Sequence, residues 1–200
     1  MGYDILLMPK TRDDEIILKI YDCSQKANHR GISRKFSLFQ SRFHFDQCEF
    51  RQVEQILSVD LGVYLRYPKN HFYDTGELEY KLHLAEEKNK PKKVEKIKKQ
   101  IEEEIENWKL TYHSNNEGWS TIEEFRETTR NFIKAINKYP DFGSEIFIPN
   151  VIDFPWGDYF SRKSKKDKND ERILDDLNLI LHKLDCIEKQ NIKFVAFVGF

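Results

Sequence analysis

The chain has 200 residues, 39% of them hydrophobic and 14% aromatic, which excludes a disordered polymer and suits one substantial core. Lys and Arg (33) nearly cancel Asp and Glu (34), so a net charge of -1 gives no global attraction to nucleic acid or an anionic membrane. Cys23, Cys48 and Cys186 are widely spaced and odd in number, so the composition reads as free thiols of a reducing compartment rather than a disulfide framework.

In chain order, "YDILLM" (Tyr3 to Met8) reads as a first strand, with neither the basic flank nor the long apolar run of a signal peptide. "EIILKIYD" (Glu15 to Asp22) reads either as a second strand, in a hairpin with the first, or as the start of a helix. "ISRKFSLFQSRFHF" leans toward strand or irregular structure. Asp46 offers an N-cap to "QCEFRQVEQIL", with Glu49 at capping-box spacing and Phe50, Val53, Ile56 and Leu57 on the inner face. "SVDLGVYLRYP" reads as a short strand ending before Pro68.

The middle is helical. Leu78, Leu82 and Ala85 recur at helical spacing, and Pro91 suits the first turn of a second helix. That helix lines up Val94, Ile97, Ile101, Ile105, Trp108 and Tyr112 in steps of three or four. Gly76 to Tyr112 is therefore expected as a helical hairpin inserted in a single domain spanning residues 1–200. After the turn "NNEGW", Ser120 with Glu123 has capping-box spacing, and Ile122, Phe125, Thr129, Phe132, Ile133 and Ile136 face inward. "YPDFGSEIFIPNVIDFPWGDYF", broken by three prolines, reads as irregular or edge structure, and Arg162 to Lys168 as a solvated basic loop. A last helix and the apolar strand "KFVAFVGF" make a helix–strand unit. The fold class is α/β or α+β, a mixed sheet of N- and C-terminal strands with helices packed on it.

Candidate chemistry is sparse. No phosphate-cradling or dinucleotide glycine motif, nucleophile elbow or H-E-x-x-H occurs. Asp141 and Glu145 lack the lysine that a metal nuclease would set after them. On the last helix His182, Asp185 and Cys186 share one turn. His182 and Cys186 are spaced as metal ligands, with Asp175 or Asp185 as helper. At about 100° per residue His182 falls opposite the stripe of Ile173, Leu177, Ile180, Leu181, Leu184 and Ile187. Two ligands without a second cluster read as a solvated face, and Asp185 and Glu188 beside Cys186 oppose a reactive thiolate. No catalytic residue, metal or cofactor is expected.

Four stretches stand out together: "ISRKFSLFQSR", "EFRQVEQILSVDLGVYLRYP", "GWSTIEEFRETTRNFIKAI" and the close from "PWGDYF" to "KFVAFVGF". In their order they resemble bacterial immunity-type proteins, encoded beside polymorphic or contact-dependent toxins. The resemblance implies a non-enzymatic protein that binds and neutralises a cognate toxin; the N-terminus, the lack of a long apolar run and the balanced charge read as a cytoplasmic protein with no membrane or nucleic-acid partner, the oligomeric state being open. Aromatic loops make good interface cores, so Asp153, Phe154, Trp156, Asp158 and Tyr159 are the candidate partner-binding residues. The alternatives are a metal-dependent nuclease or other nucleic-acid-acting enzyme, and an adaptor self-associating through the hairpin.

Overall fold

A computed structural model of the chain describes residues 5–27, 32–41, 49–68, 75–146, 159–160 and 172–199. The architecture is α+β and mostly helical. Contacts divide the chain into two compact units, Met1–Tyr67 with Trp119–Phe200, and Pro68–Gly118.

The first unit is built around a small antiparallel sheet in the order β1-β3-β2. Strand β1 (Ile5–Pro9) pairs with β3 (Phe194–Gly199) in the register Leu6 to Val198, and β2 (Ser120–Thr121) pairs with the opposite edge of β3. The N- and C-terminal strands thus meet as expected, and no parallel pair occurs among the described residues. β3 is central. Its residues Val195 to Val198 are all buried, which is why it reads as an unbroken apolar run rather than an alternating one.

Two segments expected as extended are helices. Helix α1 spans Asp14–Ala27 because Asp13 caps it: the Asp13 carboxylate accepts from the Glu15 and Ile16 amides at 2.9 and 3.1 Å. Asp14 and Glu15 in its first turn complement the helix dipole. Helix α2 (Arg34–Ser41) is capped by Ser33, whose hydroxyl accepts from the Phe36 amide at 3.1 Å. Helix α3 (Glu49–Leu57) buries Phe50, Val53 and Leu57 as its periodicity predicts. The expected cap, Asp46, lies outside the described residues. The segment after α3 is a 3-10 turn, Gly62–Leu65, not a strand. The Glu54 carboxylate accepts from the Leu61 amide and the Asp60 carboxylate from the Gly62 amide, fixing a turn where a strand would need a ladder partner.

Helix α6 (Ile122–Lys138) has the capping box one residue beyond the expected place. Thr121 and Glu124 form it, while Ser120 is buried in the sheet and accepts from Arg66. The hydrogen bonds from Thr121 hold the Glu124 carboxyl below its ordinary range. A second 3-10 turn, Phe142–Glu145, packs closely on Phe160. A Cβ at Gly143 would lie 2.7 Å from that of Phe160, so the approach requires glycine. Helix α7 (Ile173–Glu188) leads through a turn at Asn191, whose φ is 59°, into β3.

The core is unusually aromatic. Phe36, Phe39, Phe50, Tyr64, Phe125, Phe132, Phe142, Tyr159 and Phe160 are all essentially inaccessible. Phe197 brings the sheet into this cluster, its ring centroid 5.1 to 5.6 Å from those of Phe36, Tyr64 and Phe125. The one polar tip among those three rings, the Tyr64 hydroxyl, donates to Thr129 at 2.8 Å, and burial pushes its pKa far up.

The second unit contains α4 (Gly76–Glu87) and α5 (Pro91–Ser114), a helical hairpin. Pro91 sits in the first turn of α5, and Asn89 takes a φ of 47° in the connection. The expected stripe of α5 is its less exposed face, with Ile97 and Tyr112 buried and the Trp108 ring 5.1 Å from Tyr112. Among the described residues no helix is long and apolar enough to cross a membrane.

Phe197 joins strand to helices, so Phe197→Ala should destabilise the protein by about 3–5 kcal/mol. Urea unfolding measures it, and a loss under about 1 kcal/mol would contradict the packing described here.

Candidate functional site

The convergence of chemistry-bearing side chains lies between α1 and α7. Cys23 on α1 and Cys186 on α7 form a disulfide, with Cα atoms 5.8 Å apart and a sequence separation of 163. The reading of three free thiols is corrected for this pair. Chain-entropy arguments put a link closing so long a loop at about 5 kcal/mol. Cys186 is fully buried, and His182 is half-buried rather than solvated. Both face α1, which covers the side of α7 opposite its apolar stripe. The expectation of an outward face treated the stripe as the whole of the buried surface. α7 instead packs on α6 and α1 together.

His182 Nε2 stands 3.5 Å from Cys186 Sγ and 3.3 Å from the Cys23 carbonyl oxygen. The ring nitrogen and the two sulfurs all lie within 4.8 Å of one another. The i, i+4 spacing of His182 and Cys186 was legible in sequence. The third member was missed, because the possible strand stops at Asp22 and Cys23 belongs to no expected element. Its signal was the helical register Ile16, Ile20, Cys23, which puts Cys23 on the core-facing side of α1. Chemically the three atoms are a covalent staple when oxidised and a set of two thiols and one imidazole when reduced.

A second polar cluster is structural in geometry. Asp176, in the first turn of α7, is 1% exposed and accepts three hydrogen bonds. The Ser33 amide donates to Oδ1 at 2.8 Å; the Ser33 hydroxyl and the Tyr159 hydroxyl donate to Oδ2 at 2.5 and 2.8 Å. One carboxylate therefore joins the cap of α2, the aromatic residue Tyr159 and the start of α7. At the other end of α7, Arg126 of α6 is buried among carboxylates. Its guanidinium donates to Glu188 at 2.7 Å, Asp185 at 3.2 Å and Glu123 at 3.1 Å. The bond to Glu188 is the leading reason its pKa is raised.

Of the candidate partner-binding residues, Asp153, Phe154, Trp156 and Asp158 lie outside the described residues. Tyr159 is fully buried with its hydroxyl on Asp176, so its ring belongs to the core rather than to a presented surface. Asp141 and Glu145, the carboxylates weighed for metal chemistry, are exposed at either end of the second 3-10 turn. On the hairpin, Tyr80 and Leu110 are both 63% exposed. No protein-family model matches the chain, and no curated protein or solved structure is significantly similar to it.

Asp176→Ala strips three donors of their acceptor and should cost about 3 kcal/mol. Chemical denaturation reads the loss, and a midpoint equal to the parent's would mean that Asp176 does not tie α2 and Tyr159 to α7.

Proposed function

We propose that this chain is a cytoplasmic, non-enzymatic immunity-type protein that binds and neutralises a cognate bacterial toxin. The observation that carries the reading is the succession of four stretches, from "ISRKFSLFQSR" to the closing "KFVAFVGF", which together resemble proteins of that type. The engagement of buried polar groups supports it. Asp176, Arg126 and Tyr64 each spend their hydrogen bonds tying one element to another, as in a rigid scaffold that presents a surface.

The binding face is assigned to Asp153, Phe154, Trp156 and Asp158, without Tyr159. Aromatic anchors there supply the contact area, and the two aspartates suit a basic cleft on the toxin. In a reducing cytoplasm Cys23 and Cys186 stand as two thiols.

Trp156→Ala combined with Asp158→Ala should weaken protection of cells that express the toxin encoded beside this protein, with the melting temperature nearly unchanged. Full protection by a normally folded double variant would place the face elsewhere. Failure of the parent protein to protect at all would refute the immunity reading.

A further inference from the structure

We propose that Cys23, His182 and Cys186, once reduced, form a binding site for a thiophilic divalent cation of the zinc class. The site goes beyond toxin binding and stands independently of it. Three observations carry the proposal. The donor types are two sulfurs and an imidazole nitrogen, the set that holds zinc with one position left for water or a fourth group. The donors converge from two helices, all three atoms within 4.8 Å. One edge of the coordination polyhedron is already at its working length. A tetrahedral zinc with bonds of about 2.3 Å to sulfur and about 2.0–2.1 Å to nitrogen sets a sulfur–nitrogen edge of about 3.5 Å. The distance from Cys186 Sγ to His182 Nε2 is 3.5 Å.

The sulfur–sulfur edge of such a tetrahedron is about 3.8 Å, from the same bond lengths. A disulfide has no thiolate to offer the cation, so oxidation and metal binding exclude each other. Rotation about the Cys23 Cα–Cβ bond opens the sulfurs, with the Cα atoms held 5.8 Å apart and Cys186 Sγ left 3.5 Å from His182 Nε2. The exchange balances with a small dithiol as reductant. The dithiol gives two electrons to the protein disulfide and closes into its own disulfide. The two freed thiols then bind the cation as thiolates and release two protons. His182 binds through the Nε2 lone pair, so the proton that Nε2 donates to the Cys23 carbonyl moves to Nδ1 and that contact is given up. Two thiolates neutralise the dication, which lowers the cost of holding it beside the fully buried Cys186. Cys23 and His182 are only half-buried, which leaves the cation a way in.

The test uses the full chain carrying Cys48→Ser, so that Cys23 and Cys186 are the only thiols. It is reduced with a dithiol, freed of it without air, and titrated with Co²⁺ and then Zn²⁺. The expected result is one equivalent of Co²⁺ with a thiolate-to-cobalt charge-transfer band in the near ultraviolet, bleached by Zn²⁺. The oxidised protein should show no band. Cys186→Ser should abolish it, and His182→Ala should weaken binding at least about tenfold while its oxidised form keeps the parent's circular dichroism. If reduction loosens the fold, Zn²⁺ should restore the helical signal, because the site exists only in the folded chain. Absence of both the band and any Zn²⁺-driven refolding would overturn the proposal. So would parental affinity in His182→Ala, which would make the cysteines an unspecific thiol pair.

Discussion

Helix α7 has to be buried on two sides at once, and the rest of the first unit follows from how that is achieved. Its apolar stripe is covered on the α6 side, where Arg126 clamps its last turn through Glu188 and Asp185. Its opposite side is covered by α1, through Cys23 and Cys186. Its first turn is fixed by Asp176 on the cap of α2 and on Tyr159. β3 follows α7 after a short turn, so a helix held at both ends also places the central strand. β1 and β2 then add to the two edges of that strand. The aromatic cluster fills the space between strand and helices, with Phe197 as the contact from the sheet.

The polar fixings differ in physical character. Asp176 is sheltered, and its three donors are neutral, so removing it leaves hydrogen-bonding groups with no water to turn to. Arg126 is buried but its carboxylate partners are more than half exposed. Solvent screens those pairs, and their value lies in fixing where α6 and α7 meet more than in raw stability. The cysteine pair is covalent only when oxidised. That makes the α1 side of α7 the attachment whose strength depends on the surroundings.

Elements with a strong single period were legible in the sequence. The stripes of α5, α6 and α7 and the inward face of α3 lie where their spacing puts them, and the N- and C-terminal strands pair. The failures have local causes. α1 carries Ile16, Ile17 and Leu18 in succession, a run that suits a strand as well as a helix. Asp13 decides the matter by capping the first turn of the helix. α2 is short and aromatic, and its helicity rests on Ser33, whose hydroxyl is itself held by a carboxylate 143 residues away. The shift of the α6 cap from Ser120 to Thr121 came from two adjacent residues with equal local qualification. Both pair with β3, but the Ser120 hydroxyl is buried and accepts from Arg66, while the Thr121 hydroxyl reaches the Glu124 amide.

The candidate site was half legible. His182 and Cys186 are one helical turn apart, and any reader of the sequence sees them. Cys23 joins them only through tertiary packing, and an odd cysteine count with no short spacing gives no sign of it. The same limit hid Asp176, an unremarkable acidic residue of a first helical turn until Ser33 and Tyr159 close over it. Burial on both faces of α7 was also masked by its polar residues, because a stripe in sequence marks the most apolar side and not every covered side.

The placement of α1 against α7 is the central claim, and peptide mapping of the folded protein after mild oxidation tests it most directly. The structure predicts that digestion without reduction releases the Cys23 peptide joined to the Cys186 peptide. A Cys48 disulfide to either partner, or folded protein in which Cys23 and Cys186 cannot be joined, would contradict it.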